Sequence, residues 1–258
     1  MNLHISENPK ELGKEAGVQA GELIRKAIGM NGSANIILAT GSSQFETLNQ
    51  LVSEPGIDWE KVVMFHLDEY IGLPESSPAS FRKYLKERFL EKVSTLKESH
   101  LVNGETNPVV ECKRLSEIIK RNSIDVALVG IGENGHLGFN DPPADFDTNE
   151  PFIVVELEQK CRQQQFAEGW FASIDDVPDH AITMSIKQIL KSKHIICSVP
   201  ESRKAIAVRD CLEESASNLF PASILQLHKS WICFLDKSSS ALLTRVNVES
   251  GQEYIESG

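Results

Sequence analysis

The sequence predicts an α/β fold: an open, mainly parallel, Rossmann-like sheet with helices on both faces and a flap over the site. Three observations predict it. Short apolar runs recur at 35–39, 61–66, 125–130, 181–185, 194–198 and 230–235. Between them, at 44–52, 80–93, 109–121, 202–213 and 222–228, lie stretches with helical patterning. No internal repeat or low-complexity linker divides the chain, so residues 1–245 read as a single domain. Strands this apolar need cover on both faces, and helices alternating with them supply it.

Taken in order, the chain opens with a helix in which Leu12, Ala16, Ala20, Leu23 and Ile24 recur three to four residues apart. Strand 35–39 enters a small, hydroxyl-rich turn and then helix 44–52. Strand 61–66 is followed by an acidic segment and helix 80–93; Met64 within it, like Met184 in 181–185, fits an apolar core. Helix 109–121 leads into strand 125–130 and a glycine-rich loop. Residues 142–180 are rich in Pro, Asp and Gln, carry Trp170 and Phe171, and read as a partly helical flap. Strand 194–198, helix 202–213, helix 222–228 and strand 230–235 complete the domain. The tail, 246–258, is polar and acidic and is expected to fray.

Composition narrows the function classes. Hydrophobic residues make up 41% and charged residues 24% of the 258, enough for a sizeable core. The net charge of −11 repels nucleic acid and anionic membrane, so neither is expected as a partner. An anionic ligand would need a local positive site. The longest apolar runs fall far short of the ~20 residues that span a bilayer, and the start shows no charged-then-apolar signal pattern. Cys112, Cys161, Cys197, Cys211 and Cys233 form no CxxC pair and suit a reducing compartment. The expectation is a soluble cytoplasmic protein.

Open sheets bind ligands beyond the carboxyl ends of their strands, and four polar segments follow strands. The first is Thr40-Gly41-Ser42-Ser43, where a helix start leaves N–H groups and a dipole that suit a phosphate. It reads equally well as a helix cap. It is neither GxGxxG nor GxxxxGK[ST], so no nucleotide is implied. The second is His66-Leu67-Asp68-Glu69-Tyr70, whose carboxylate pair suits general-base work or a solvated turn. A metal reading of His66 and Asp68 finds no further cluster at ligand spacing, so no metal and no cofactor is expected.

The third segment is Gly130-Ile131-Gly132-Glu133-Asn134-Gly135-His136-Leu137-Gly138-Phe139-Asn140-Asp141-Pro142. Its glycines allow close approach of a ligand, and His136 suits proton transfer near neutrality. Asn134 and Asp141 lie near enough in sequence to orient that ring. The fourth is Glu201-Ser202-Arg203-Lys204, where Lys204 or Arg203 offers the cation an anion needs.

Assembled, these residues resemble the glucosamine-6-phosphate deaminase family over roughly residues 8–236. Leu67-Asp68-Glu69-Tyr70-Ile71-Gly72-Leu73 and the 130–142 motif carry the likeness, with Leu101-Val102-Asn103-Gly104 and Ile224-Leu225-Gln226-Leu227-His228 in support. The resemblance implies conversion of an amino-sugar 6-phosphate, a small-molecule sugar phosphate, to a ketose 6-phosphate and ammonium. By the same resemblance His136 assists ring opening, Asp68 moves the proton from C2 to C1, and Thr40, Gly41, Ser42, Ser43 and Lys204 hold the phosphate. Family members are often homo-oligomers. Two departures stand out: Asn134 and Asp141 occupy places where Asp and Glu are common, and Gln165, with Arg162 nearby, falls where a phosphate-gripping arginine is expected.

Two other readings compete. A 6-phosphogluconolactonase resembles the same fold and has a Gly-x-x-Gly-His turn, but Leu137-Gly138-Phe139-Asn140-Asp141 departs from its usual continuation. A non-catalytic sugar-phosphate sensor would normally bring a DNA-binding helix-turn-helix and a basic patch, and neither is evident.

Overall fold

The computed structural model describes residues 2–93 and 95–245 and the backbone of 253–254. In chain order the elements are β1 (Asn2–Ser6), α1 (Pro9–Asn31), β2 (Ala34–Leu38), α2 (Phe45–Ser53), β3 (Val62–His66), β4 (Asp68–Tyr70) and α3 (Phe81–Leu85). There follow β5 (Glu98–His100), α4 (Pro108–Ile119), β6 (Val126–Val129), β7 (Phe152–Glu156), α5 (Gln159–Ala167) and β8 (His180–Met184). The rest are α6 (Ile186–Ile189), β9 (His194–Val199), α7 (Ala205–Glu213), β10 (Trp231–Asp236) and β11 (Glu253–Tyr254). Apart from the backbone of β11, the tail expected to fray lies outside the described residues.

Seven strands form a parallel sheet in the order β1-β10-β9-β6-β2-β3-β5, with β11 antiparallel at one edge. From β2 the chain builds outward through β3 and β5, then returns to lay β6 on the other side of β2. The reversal lies between β2 and β6, where Leu38 is in register with Leu128. A crevice at the carboxyl ends is the physical result, because the connections leave these two strands in opposite directions.

Alternation along the strands explains the layers. Ile36 and Leu38 pack with Leu12, Ala16, Ala20 and Ile24 of α1 and Leu48 and Leu51 of α2. Ile37 and Ala39 face the other core, with Leu115 and Ile119 of α4 and Val208 of α7. Among the described residues no helix is long and apolar enough to cross a membrane.

Three expectations are corrected. The run at 181–185 does not join the parallel sheet: β8 sits in a separate antiparallel sheet, between β4 and β7. Its pairing is set by β4, with Asp68 opposite Thr183. The 80–93 stretch is split, α3 giving way to a π turn at Lys86–Leu90. The 222–228 stretch is a 3-10 helix, Pro221–Leu227. The segment 142–180 contains β7 and α5, so much of it belongs to the small sheet and its covering helix.

The two sheets meet at Leu67. Its N–H donates to the Leu38 carbonyl at 3.1 Å, and its own carbonyl accepts from the Met184 N–H at 2.9 Å. Asp68 follows directly.

Candidate active site

Beyond β2 the chain turns through Gly41, whose φ of +92° is open to glycine without strain, into a 3-10 turn at Ser42–Gln44 and then α2. The turn is tied down from inside. The buried Gln44 amide donates to the carbonyls of Val129 at 3.2 Å and Ser198 at 3.4 Å, fastening it to the ends of β6 and β9. Tyr84 hydroxyl donates to the Gly41 carbonyl at 3.1 Å, and Arg203 Nη2 to Ser42 Oγ at 3.0 Å. Helix-start N–H groups and serine hydroxyls are thus presented on a fixed frame.

Lys204 reaches the same place from β9. Glu201 precedes it with φ +79°, an unusual backbone for a side-chain residue, held by its N–H donating to Asp236 Oδ2 at 2.9 Å. The Lys204 side chain is buried, and burial lowers its pKa to about 8, with Glu168 pulling it back up. Arg203, besides its bond to Ser42, bridges Glu133, Glu168 and Glu201 at the rim.

Asp68 and Glu69 lead different lives, as neighbours on a strand must. Glu69 caps α3 from outside, accepting from Ser80 Oγ at 2.9 Å and the Arg82 N–H at 2.8 Å and pairing with Arg82 Nε at 3.3 Å. Asp68 faces the cleft. Burial, and then the charge of Glu69, push its pKa up to about 8, against the Phe139 N–H, which lowers it. His66 is fully buried and accepts the Val102 N–H on Nδ1 at 3.3 Å; burial and the charge of Arg82 lower its pKa to about 3. It does not line the cleft.

The imidazole of His136 lies flat on Gly132. A Cβ there would stand 2.2 Å from Cε1 and Nε2, so only glycine permits this ring position. Behind the ring is Asp141, its Oδ1 3.1 Å from Nδ1, close but not well aligned for a hydrogen bond. Asn134 does not orient the ring, which corrects the simplest expectation. Its Oδ1 accepts the His136 backbone N–H at 3.2 Å, while Nδ2 donates to Asp141 Oδ1 at 2.9 Å and Glu158 Oε2 at 2.7 Å. The Glu158 N–H donates to Asp141 Oδ2 at 2.9 Å. Burial opposes ionisation of Asp141, but His136, Asn134 and that N–H outweigh it and hold its pKa below the usual carboxylate value.

Thr40, Gly41, Ser42, Ser43, Asp68, His136 and Lys204 all line one cleft of about 530 Å³. Asn134 and Asp141 stand behind the imidazole and off its wall. A cationic, N–H-rich end and an end with a buried carboxyl and an imidazole suit proton transfer on an anionic polyol.

Residues not foreseen also line it: Phe81, Phe139, Gln164 and Glu168. A signal for the last two was present, since Cys161, Gln164, Gln165 and Glu168 recur at i, i+3, i+4 and i+7, a buried polar stripe on α5. Gln165 accepts the Tyr70 hydroxyl at 2.7 Å. Arg162 does not stand in for the missing arginine: its guanidinium is spent on the carbonyls of Ile174 and Val177. Metal-ligating side chains converge at His136, Asp141 and Cys161.

The chain is similar to known proteins in both sequence and fold. The sequence model of the family described as glucosamine-6-phosphate isomerases/6-phosphogluconolactonase matches residues 7–233. Glucosamine-6-phosphate deaminases of Bacillus thuringiensis (strain Al Hakam) and Bacillus anthracis (strain A0248) are each 34% identical over 243 residues, 94% of this chain and 89% of theirs. A solved monomeric glucosamine-6-phosphate deaminase superposes with a TM-score of 0.86 at 32% identity, covering 94% of this chain and all of that one. A 6-phosphogluconolactonase from Shewanella baltica OS155 shares the fold, with a TM-score of 0.76 at 19% identity over 91% of this chain and 97% of its own. With its switch-point cleft and its 130–142 loop, this chain belongs to the glucosamine-6-phosphate isomerase/6-phosphogluconolactonase family.

Proposed function

We propose that this protein isomerises and deaminates an amino-sugar 6-phosphate, foremost glucosamine 6-phosphate, which with water gives fructose 6-phosphate and ammonium. The observation that carries the reading is one cleft bounded by an anion seat at Ser42, Ser43 and Lys204 and a proton-transfer end at Asp68 and His136. The relatives' names support the same substrate.

In this reading the 6-phosphate sits on the 40–43 turn and Lys204, fixing the sugar lengthwise. His136, backed by Asp141, relays a proton during ring opening. Ionised Asp68 takes the hydrogen from C2 of the open chain and returns one to C1. That leaves a C2 iminium; water adds there, and the nitrogen departs as ammonium. Every step is proton transfer or hydration beside a carbonyl. Glu158 acts through Asp141, and Asn134 through Asp141 and the His136 backbone N–H. The free cysteines support a cytoplasmic setting.

A panel of hexosamine 6-phosphates, assayed for ammonium and ketose phosphate, tests the proposal and reads the preferred epimer. Hydrolysis of 6-phosphogluconolactone without ammonium release from any of them would overturn it, as would binding without turnover.

A further inference from the structure

We propose that His136, Asp141 and Cys161 form an inhibitory site for a soft divalent cation, Zn²⁺ above all. The ligand atoms of the three side chains lie within 4.8 Å of one another. Among the described residues this is the one such convergence of three His, Cys, Asp or Glu side chains. Tetrahedral zinc, with bonds of roughly 2.0–2.3 Å, needs its ligand atoms roughly 3.3–3.6 Å apart. Asp141 Oδ1 and His136 Nδ1, at 3.1 Å, are already near that spacing.

A second observation points to a ligand. His136 Nδ1 is buried and has no well-formed hydrogen bond among the described residues, although a carboxylate stands beside it. In the neutral tautomer that carries its proton on Nε2, the lone pair on Nδ1 is available to a cation in the gap. Cys161 is fully buried and supplies the soft donor that selects zinc over magnesium or calcium. Asp141 also lines a second cleft of about 950 Å³, together with Asp145, Glu156 and Glu158, and this acidic approach suits entry of a cation.

The exchange balances. Zn²⁺ accepts lone pairs from His136 Nδ1, the Asp141 carboxylate and the Cys161 sulfur; the ring keeps one proton on Nε2, and the thiol proton and any proton on Nδ1 go to solvent. A ring bonded to the metal through Nδ1 no longer has Asp141 to itself, and its relay stops. The cation is therefore an inhibitor and lies outside the reaction. Its binding does not depend on the proposed substrate, so binding is measured separately from turnover.

The test is titration of the full-length protein with zinc chloride by calorimetry, and with cobalt(II) chloride by absorption spectroscopy. The wild type is expected to bind one equivalent, with a thiolate-to-cobalt charge-transfer band. Cys161→Ser is expected to lose the band and bind zinc at least about tenfold more weakly. Without metal it should release ammonium within about twofold of wild type, because Cys161 touches no reacting atom. Cys161→Ala, or Asp141→Asn read by binding alone, replaces it should the serine variant not fold. Cobalt bound without the band, no stoichiometric zinc, or equal zinc affinity in wild type and variants would overturn the proposal.

Discussion

The amide of Asn134 donates at 2.9 Å to the same Asp141 oxygen that stands 3.1 Å from His136 Nδ1. The asparagine thus sets the carboxylate that sets the imidazole. Its second amide hydrogen reaches Glu158 Oε2 at 2.7 Å, so two carboxylates share one neutral donor.

Asn134→Asp should therefore be harmful in this chain, although aspartate is common there in the family. It would place a third negative charge among Asp141 and Glu158 and remove the donor between them. We expect a loss of about tenfold or more in kcat, with KM little changed. Adding Glu158→Gln restores a donor and should recover most of the loss. A double-mutant cycle with no coupling between the two positions would show that Asn134 does not act through this pair.

Asp68→Asn separates activity from stability. The carboxyl is buried and its pKa is raised from 3.8 to about 8, so the folded state favours the protonated form. The stability this confers is lost as pH climbs from the unfolded value through about 8. Asparagine escapes that loss. The variant should lose ~10²–10⁴-fold in kcat, yet at about pH 9 melt a few degrees higher, the shift that about 1–2 kcal/mol produces at this size. Turnover like the wild type's would remove Asp68 from the role of base.

The pH profile follows from two groups. Asp68 is the base only when ionised, so kcat/KM should rise with pH up to about 8. Lys204 holds the phosphate only when protonated, and burial lowers its pKa to about 8, so kcat/KM should fall above that value. The product is a narrow bell whose limbs both lie near 8. Lys204→Met should abolish the alkaline limb and leave the acid limb. A profile flat between about pH 6 and about pH 9 would contradict both assignments.

Lys204→Met also tests the anion seat directly. Loss of a buried charged partner for a phosphate is expected to raise KM about 10- to 100-fold, with a smaller effect on kcat. A non-phosphorylated amino sugar should bind wild type and variant alike. If the variant's KM is unchanged, the phosphate sits elsewhere.

Much of the parallel sheet was legible because its central strands are apolar on both faces: β2, β3, β6, β9 and β10 correspond to runs visible in the sequence. β1 and β5 escaped notice for the opposite reason. Asn2–Ser6 mixes exposed and buried positions, and Glu98–His100 is a short polar pair-former at the edge of the sheet. β4 was invisible because it is only three residues long and two of them, Asp68 and Glu69, are poor strand formers; only its pairing with β8 reveals it. In the site, residues just after strands could be found by that rule alone. Glu158, Gln164 and Glu168 could not, since α5 and its two ends bring them in from the segment read as a flap; the spacing of Gln164 and Glu168 shows a shared face, and tertiary placement decides what that face meets.

Leu67 has a consequence for how the site adjusts. One peptide on one side of this residue is bonded into the large sheet, the other into the small one, and Asp68 is the next residue along. The seat for the anion belongs wholly to the large sheet. A few degrees of rocking between the two layers would carry the carboxyl toward or away from an immobile ligand, like a pen arm pivoting over a fixed page. Substitutions in β7, separated from β4 by β8, would then retune the reach of the base while leaving affinity for the phosphate untouched.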